Sequence, residues 1–117
     1  NRSSIYFDVE NDKLEDSFLE IIENVVEVLN ENENVKLQIT GHIDQSEKEA
    51  IKSDPENDKL INLGQYRANK VKDYLVENGN DSGRLTASDI GADNPASKGM
   101  SKLSLAKNRR VVFTLIK

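Results

Sequence analysis

At 117 residues the chain is sized for one globular unit with a single, unaided hydrophobic core. Its 16 basic and 21 acidic side chains leave a formal charge of −5, which disfavours nucleic acid and other polyanions as partners, because phosphate neutralisation needs a basic face. With 36% apolar and 32% charged residues, no apolar run beyond three and no cysteine, the sequence excludes a transmembrane helix, a signal-peptide core, disulfides, thiol nucleophiles and Cys-type zinc sites. It starts at Asn1 without Met, so we expect a piece of a longer protein, with any targeting signal or membrane anchor outside it.

In chain order, Ser4 to Val9 alternates around Ile5 and Phe7 and reads as a strand, with a polar turn at Glu10 to Asp12. Asp12 and Glu15 form a capping-box-like start, and Leu14, Phe18, Ile21, Ile22, Val25 and Leu29 recur at helical spacing to Asn30. Val35, Leu37 and Ile39 alternate with Lys36, Gln38 and Thr40 as a half-buried strand, which Gly41 ends or bends. The charged stretch Gln45 to Lys59, with Pro55 and only Ala50 and Ile51 apolar, reads as an exposed loop holding at most one turn of helix. Helical spacing returns from Leu60 to Asn78 through Leu63, Gly64, Ala68, Val71 and Leu75, with Gly79 as a left-handed cap. After a turn at Asn80 to Gly83 come a strand at Arg84 to Ile90, a loop around Pro95, a helical turn at Ser101 to Lys107 and a last strand at Val111 to Ile116. The order β-α-β-α-β-β implies a two-layer α+β domain, two helices packed on one face of a mixed four-stranded sheet.

Arg67 stands out because Leu60, Leu63, Val71 and Tyr74 lie at −7, −4, +4 and +7, which sets it beside or within an apolar helical stripe. Its stem can pack on the core with the head in water, or its planar fork can clamp a carboxylate. Gly41-His42-Ile43-Asp44 closes the second strand, with His42 and Asp44 on one face. Asp44 serves as a turn-former or as a ligand group, and a single His without Cys makes no ordinary transition-metal site, so no metal is expected. Asp54, Glu56 and Asp58 alternate like a calcium loop, but Lys59 stands where Gly is needed and Gln65 where a bidentate Glu is needed. No nucleophile, base and acid fall into a triad, and no cofactor motif is present. Alternation sends Arg109 and Arg110 to opposite faces.

The succession Ile5-Tyr6-Phe7-Asp8, Gly41-His42-Ile43-Asp44, Leu63-Gly64-Gln65-Tyr66-Arg67-Ala68, Val71-Lys72-Asp73-Tyr74-Leu75-Val76 and Asn108-Arg109-Arg110-Val111 resembles the OmpA-like C-terminal domain family. Asp93-Asn94-Pro95, the Leu-Gly-Gln helix motif and Ala106 to Arg110 are most similar to members from Bacteroidetes. The resemblance implies a non-enzymatic module on the periplasmic face of the Gram-negative outer membrane. Such a module binds peptidoglycan non-covalently through the diaminopimelate of the stem peptide and tethers an outer-membrane protein or lipoprotein to the wall. It implies that Asp44 and Arg67 face an open site and grip the free amine and carboxylate of diaminopimelate, with Asn108 and Arg109 lining the same site. A zwitterionic end group needs one fixed cation and one fixed anion a few ångströms apart, as such a pair provides. The chain departs from the family pattern at Ile43, in place of Thr, at Leu60, in place of a ligand-binding Asn, and in an insertion within Gln45 to Lys59, from which Ser46 is expected to supply a replacement contact. A homodimer is compatible with this reading, and a periplasmic protein-interaction or dimerisation module with a decayed ligand site is the alternative to it.

Overall fold

The computed structural model describes residues 4–116. Its elements are β1 (Ser4–Tyr6), α1 (Phe18–Glu31), β2 (Lys36–His42), α2 (Gln45–Ser53), α3 (Asp58–Ile61), α4 (Leu63–Glu77), β3 (Leu85–Gly91), α5 (Lys102–Asn108) and β4 (Arg110–Ile116). The four strands form one mixed sheet in the order β1-β4-β2-β3, with β2 and β3 parallel and the other pairs antiparallel. Alternation along the strands sends Ile5, Leu37, Ile39, Leu85 and Val111 to one face. There they join Ile22 and Leu29 of α1 and Ala68, Val71 and Leu75 of α4 in a single buried cluster. Phe18 adds an edge-to-face contact with Tyr74, 4.8 Å between ring centroids, which locks α1 against α4. The expected two-layer α+β architecture is the one observed.

Helix α4 ends as its sequence requires. Gly79 takes φ +97°, its N–H reaches Val76 O at 3.1 Å, and Asn80 N reaches Leu75 O at 3.0 Å, the paired bonds of a Schellman cap. Gly41 neither ends nor simply bends its strand. It lies inside β2, which carries a register irregularity between Gly41 and His42, and it lets α4 approach the sheet: a Cβ at Gly41 would stand 1.8 Å from Gly64 O.

Three expectations need correction. The insertion is not an exposed loop, for Gln45–Ser53 is helical and Asp58–Ile61 forms a further helical turn that meets α4 at Asn62. Its nucleus is a full capping box: the Asp44 carboxylate accepts from Glu47 N at 2.7 Å while the Glu47 carboxylate accepts from Asp44 N at 2.9 Å. The first helix starts at Phe18 rather than at Asp12, and β1 stops at Tyr6 rather than at Val9. The intervening backbone has other partners, since Asp8 O and Asn11 O accept from Arg67 and Glu10 N donates to Glu47. These long-range bonds fix the chain path from Asp8 to Asn11, just beyond the end of β1.

His42 shows what the outer face of the sheet holds. Only 5% exposed, it has no partner for Nδ1 among the described residues, and neither has Nη1 of nearby Arg110. Burial, with the Arg110 cation as the second cause, lowers the His42 pKa from about 6.5 to about 4. The folded chain therefore keeps His42 neutral, whereas the unfolded chain takes up a proton as the pH falls below about 6.5. As the pH drops from 6.5 to 4 stability should fall, levelling off below, by roughly 3 kcal/mol from this group. Urea midpoints of the parent and of His42→Asn across this window check it, and equal pH slopes would show that His42 is not the group responsible.

Candidate functional site

Five segments meet at the end of the sheet where β2 runs into α2: the loop from Asp8 to Asn11, the stretch His42 to Asp44, the first turn of α2, the middle of α4 and the residue linking α5 to β4. Arg67 is at the centre and has no exposed surface. Its Nη1 donates to Glu47 Oε1 at 2.9 Å and its Nη2 to Glu47 Oε2 at 2.5 Å, a two-pronged pairing of fork and carboxylate. The remaining N–H groups go to main-chain carbonyls: Nε to Asn11 O at 2.9 Å, Nη1 to His42 O at 2.9 Å and Nη2 to Asp8 O at 3.1 Å. Phe7 covers one face of the guanidinium, with Cζ 5.3 Å above the ring centroid. All five donors of the group are thus used inside the protein.

Asp44 is equally enclosed. Oδ1 accepts from Ser46 Oγ and Glu47 N, both at 2.7 Å, and Oδ2 accepts from Arg109 Nη1 at 2.9 Å. Arg109 also donates from Nε to Phe7 O at 2.9 Å. Its Nη2 has no protein partner among the described residues, its side chain is partly exposed, and it lines a cleft of about 430 Å³ with Phe7, Asp8, Glu15, Ser17 and Lys107. Cations and carboxylates share this cleft, which suits a ligand end group carrying both signs.

The fold therefore gathers Asp44, Arg67, Arg109 and Ser46 as expected, but it alters what they have to offer. Arg67 and Asp44 do not face an open site, because their hydrogen-bonding capacity is taken up by Glu47, Ser46 and Arg109. Asn108 points elsewhere: its Oδ1 accepts from Ala96 N and Ser97 N at 2.7 and 3.1 Å, and its Nδ2 donates to Ser97 O at 2.6 Å, so it pins the loop that precedes α5. Leu60 is buried where α3 meets α4. The residue that sequence reasoning missed is Glu47. Its signal was present in Asp44-Gln45-Ser46-Glu47, the spacing of a capping box, and in the need of a core-facing Arg for a buried anion.

The model of the OmpA family matches residues 6–109, and the chain belongs to that family. It is 30% identical over 111 residues to the peptidoglycan-associated lipoprotein of Buchnera aphidicola subsp. Baizongia pistaciae, an alignment that covers 95% of this chain and 60% of the relative. Among solved structures it is similar to the peptidoglycan-associated lipoprotein from Burkholderia pseudomallei, with a TM-score of 0.80 at 23% identity, covering 99% of this chain and 91% of that one. The cell wall anchor of the T6SS from Pseudomonas aeruginosa matches with a TM-score of 0.71 at 27% identity, over 94% of this chain and 76% of that one. The chain thus spans about 60% of the length of the Buchnera relative.

Proposed function

We propose that residues 1–117 form a non-enzymatic peptidoglycan-binding domain of a longer envelope protein. It acts on the periplasmic side of the outer membrane, tethers that protein to the wall and is of the type found in Bacteroidetes. Its ligand is the diaminopimelate of the stem peptide, received at Asp44 and Arg67, with Arg109 at the mouth of the site and Ser46 beside Asp44, while Asn108 acts only by holding the loop before α5. The observation that carries this reading is that Arg67 already holds a carboxylate by both oxygens, next to a buried anion, Asp44, that is suited to an amine. The relatives named as peptidoglycan-associated lipoproteins, and the one named as a cell wall anchor, support it.

The uncommitted Nη2 of Arg109 provides first contact for the ligand's charged end. Arg109→Ala should weaken retention of the domain on isolated sacculi about tenfold or more, as for loss of a charge-assisted bond, with Asp44 still held by Ser46 and Glu47 N. Co-sedimentation with purified sacculi measures this, and retention equal to that of the parent would remove Arg109 from the site. The second reading, a protein-interaction module with a decayed site, is favoured by the full internal satisfaction of Arg67. No sedimentation of the parent protein with sacculi would establish it over the first.

A further inference from the structure

We propose that Glu47 is an internal surrogate for the ligand's carboxylate, and that a ligand reaches Arg67 by displacing Glu47 together with the first turn of α2. The proposal rests on the reading of Asp44 and Arg67 as the ligand site, and it makes Glu47 the residue that sets affinity there.

With five donors and five acceptors, Arg67 can accept a new carboxylate only by releasing an old partner. Three of the acceptors are main-chain carbonyls, of Asp8, Asn11 and His42, fixed by the path of the chain between β1 and α1 and by the end of β2. The other two are the oxygens of one side chain. Exchanging that carboxylate for another conserves both the charge in the buried site and the number of hydrogen bonds on the guanidinium, so the desolvation cost of an unpaired Arg never arises. No other partner of Arg67 can leave on such terms.

Helix α2 is suited to moving. Of its nine residues Glu47 alone is buried, so the helix is docked chiefly through that side chain rather than through an apolar face. When Glu47 withdraws, Asp44 N and Glu10 N lose their acceptor and become available to the incoming carboxylate. Asp44 Oδ1, now engaged by Ser46 and by Glu47 N, is freed in the same movement for an amine. A single displacement thus exposes the cation, the anion and two N–H donors together. The cleft at Arg109 lies next to them, since Arg109 Nη1 bonds Asp44 directly. The closed arrangement lowers apparent affinity by the fraction of molecules that are open, so weakening the Glu47 contact should tighten binding.

The tests use Glu47→Ala and Glu47→Gln, with acetate and free diaminopimelate as probes. Acetate should raise the melting temperature of Glu47→Ala saturably, by filling the vacated place on Arg67, whereas acetamide should not and the parent protein should not respond. Should Glu47→Ala fail to fold, refolding replaces the melt: acetate, and not acetamide, should restore its folded circular-dichroism signal. Glu47→Gln should bind diaminopimelate about tenfold more tightly than the parent, and in the parent the amides of α2 should lose hydrogen-exchange protection as diaminopimelate binds. Absence of an acetate response in the variant overturns the proposal, as does equal affinity of parent and Glu47→Gln with α2 still protected in the complex. In that last case the ligand reading stands and only the displacement falls. If acetate restores the variant while diaminopimelate binds neither protein, the displaceable carboxylate stands and the ligand reading falls.

Discussion

Arg67→Ala should strongly destabilise the domain rather than merely silence it. The substitution leaves the Glu47 carboxylate buried at 1% exposure without its two strongest donors, and strips three main-chain carbonyls, of Asp8, Asn11 and His42, of theirs. Breaking one side of a buried pair costs about 3–5 kcal/mol, a large share of the roughly 5–15 kcal/mol that holds a small domain together. A fall in melting temperature of roughly 10–20 °C is expected. Arg67→Lys should recover little, since an ammonium cannot span Asn11 O, Asp8 O and His42 O from one position. The double change Arg67→Met with Glu47→Leu should recover part of the loss, because it removes both buried charges, though not the need of the three carbonyls for donors. Calorimetry on the four proteins decides it. If Arg67→Ala melts within about 1 kcal/mol of the parent, the guanidinium is not the structural centre described here.

Gly41→Ala is expected to do comparable damage for a different reason. Its Cβ would stand 1.8 Å from Gly64 O and 2.6 Å from Gly64 C, both backbone atoms of α4, so the whole helix must back away from β2. That loosens the contacts of Leu63, Ala68 and Val71, all fully buried, at a cost on the order of 3 kcal/mol or more. The reciprocal substitution is a control. At Gly64 a Cβ would meet the Asp89 carboxylate at 2.2 Å, a side chain that can swing aside at the expense of its 2.7 Å bond from Gly91 N. Gly64→Ala should therefore cost about 1 kcal/mol. Denaturant unfolding that ranks the two equally, or in reverse, would contradict the backbone-on-backbone contact.

The elements legible in the sequence are those whose stability is local or periodic. The stripe from Phe18 to Leu29, the alternation of Val35 to Ile39 and the Gly79 cap all fold as their residue spacing dictates. Helix α2 escaped because its apolar content is too low to carry a period. It is held instead by Asp44 at its N-terminus and by an ion pair to a residue twenty positions away, which no short window contains. The early end of β1 has a similar origin, since Arg67 and Glu47 bind the backbone of Asp8, Glu10 and Asn11 just beyond it. At the site, the motif order named Asp44, Arg67 and Arg109; Arg109 bonds Asp44, and Arg67 bonds Glu47 of the capping box that Asp44 opens. It carried no information on Glu47, which belongs to the insertion, or on the turn of Asn108 towards Ala96 and Ser97.

Matched muropeptides test most directly the proposal that this domain reads the zwitterionic end of diaminopimelate. Lysine lacks the terminal carboxylate, and amidation neutralises it, while the amine is kept in all three forms. An NMR titration with the free-acid, amidated and lysine forms should therefore show tightest binding to the free acid. The other two should bind at least roughly 30-fold more weakly, corresponding to about 2 kcal/mol or more for the lost charge-assisted pair. The shifted resonances should be those of the Asp44, Glu47, Arg67 and Arg109 cluster. Equal affinity for all three forms, or shifts confined to other surfaces, would contradict the account.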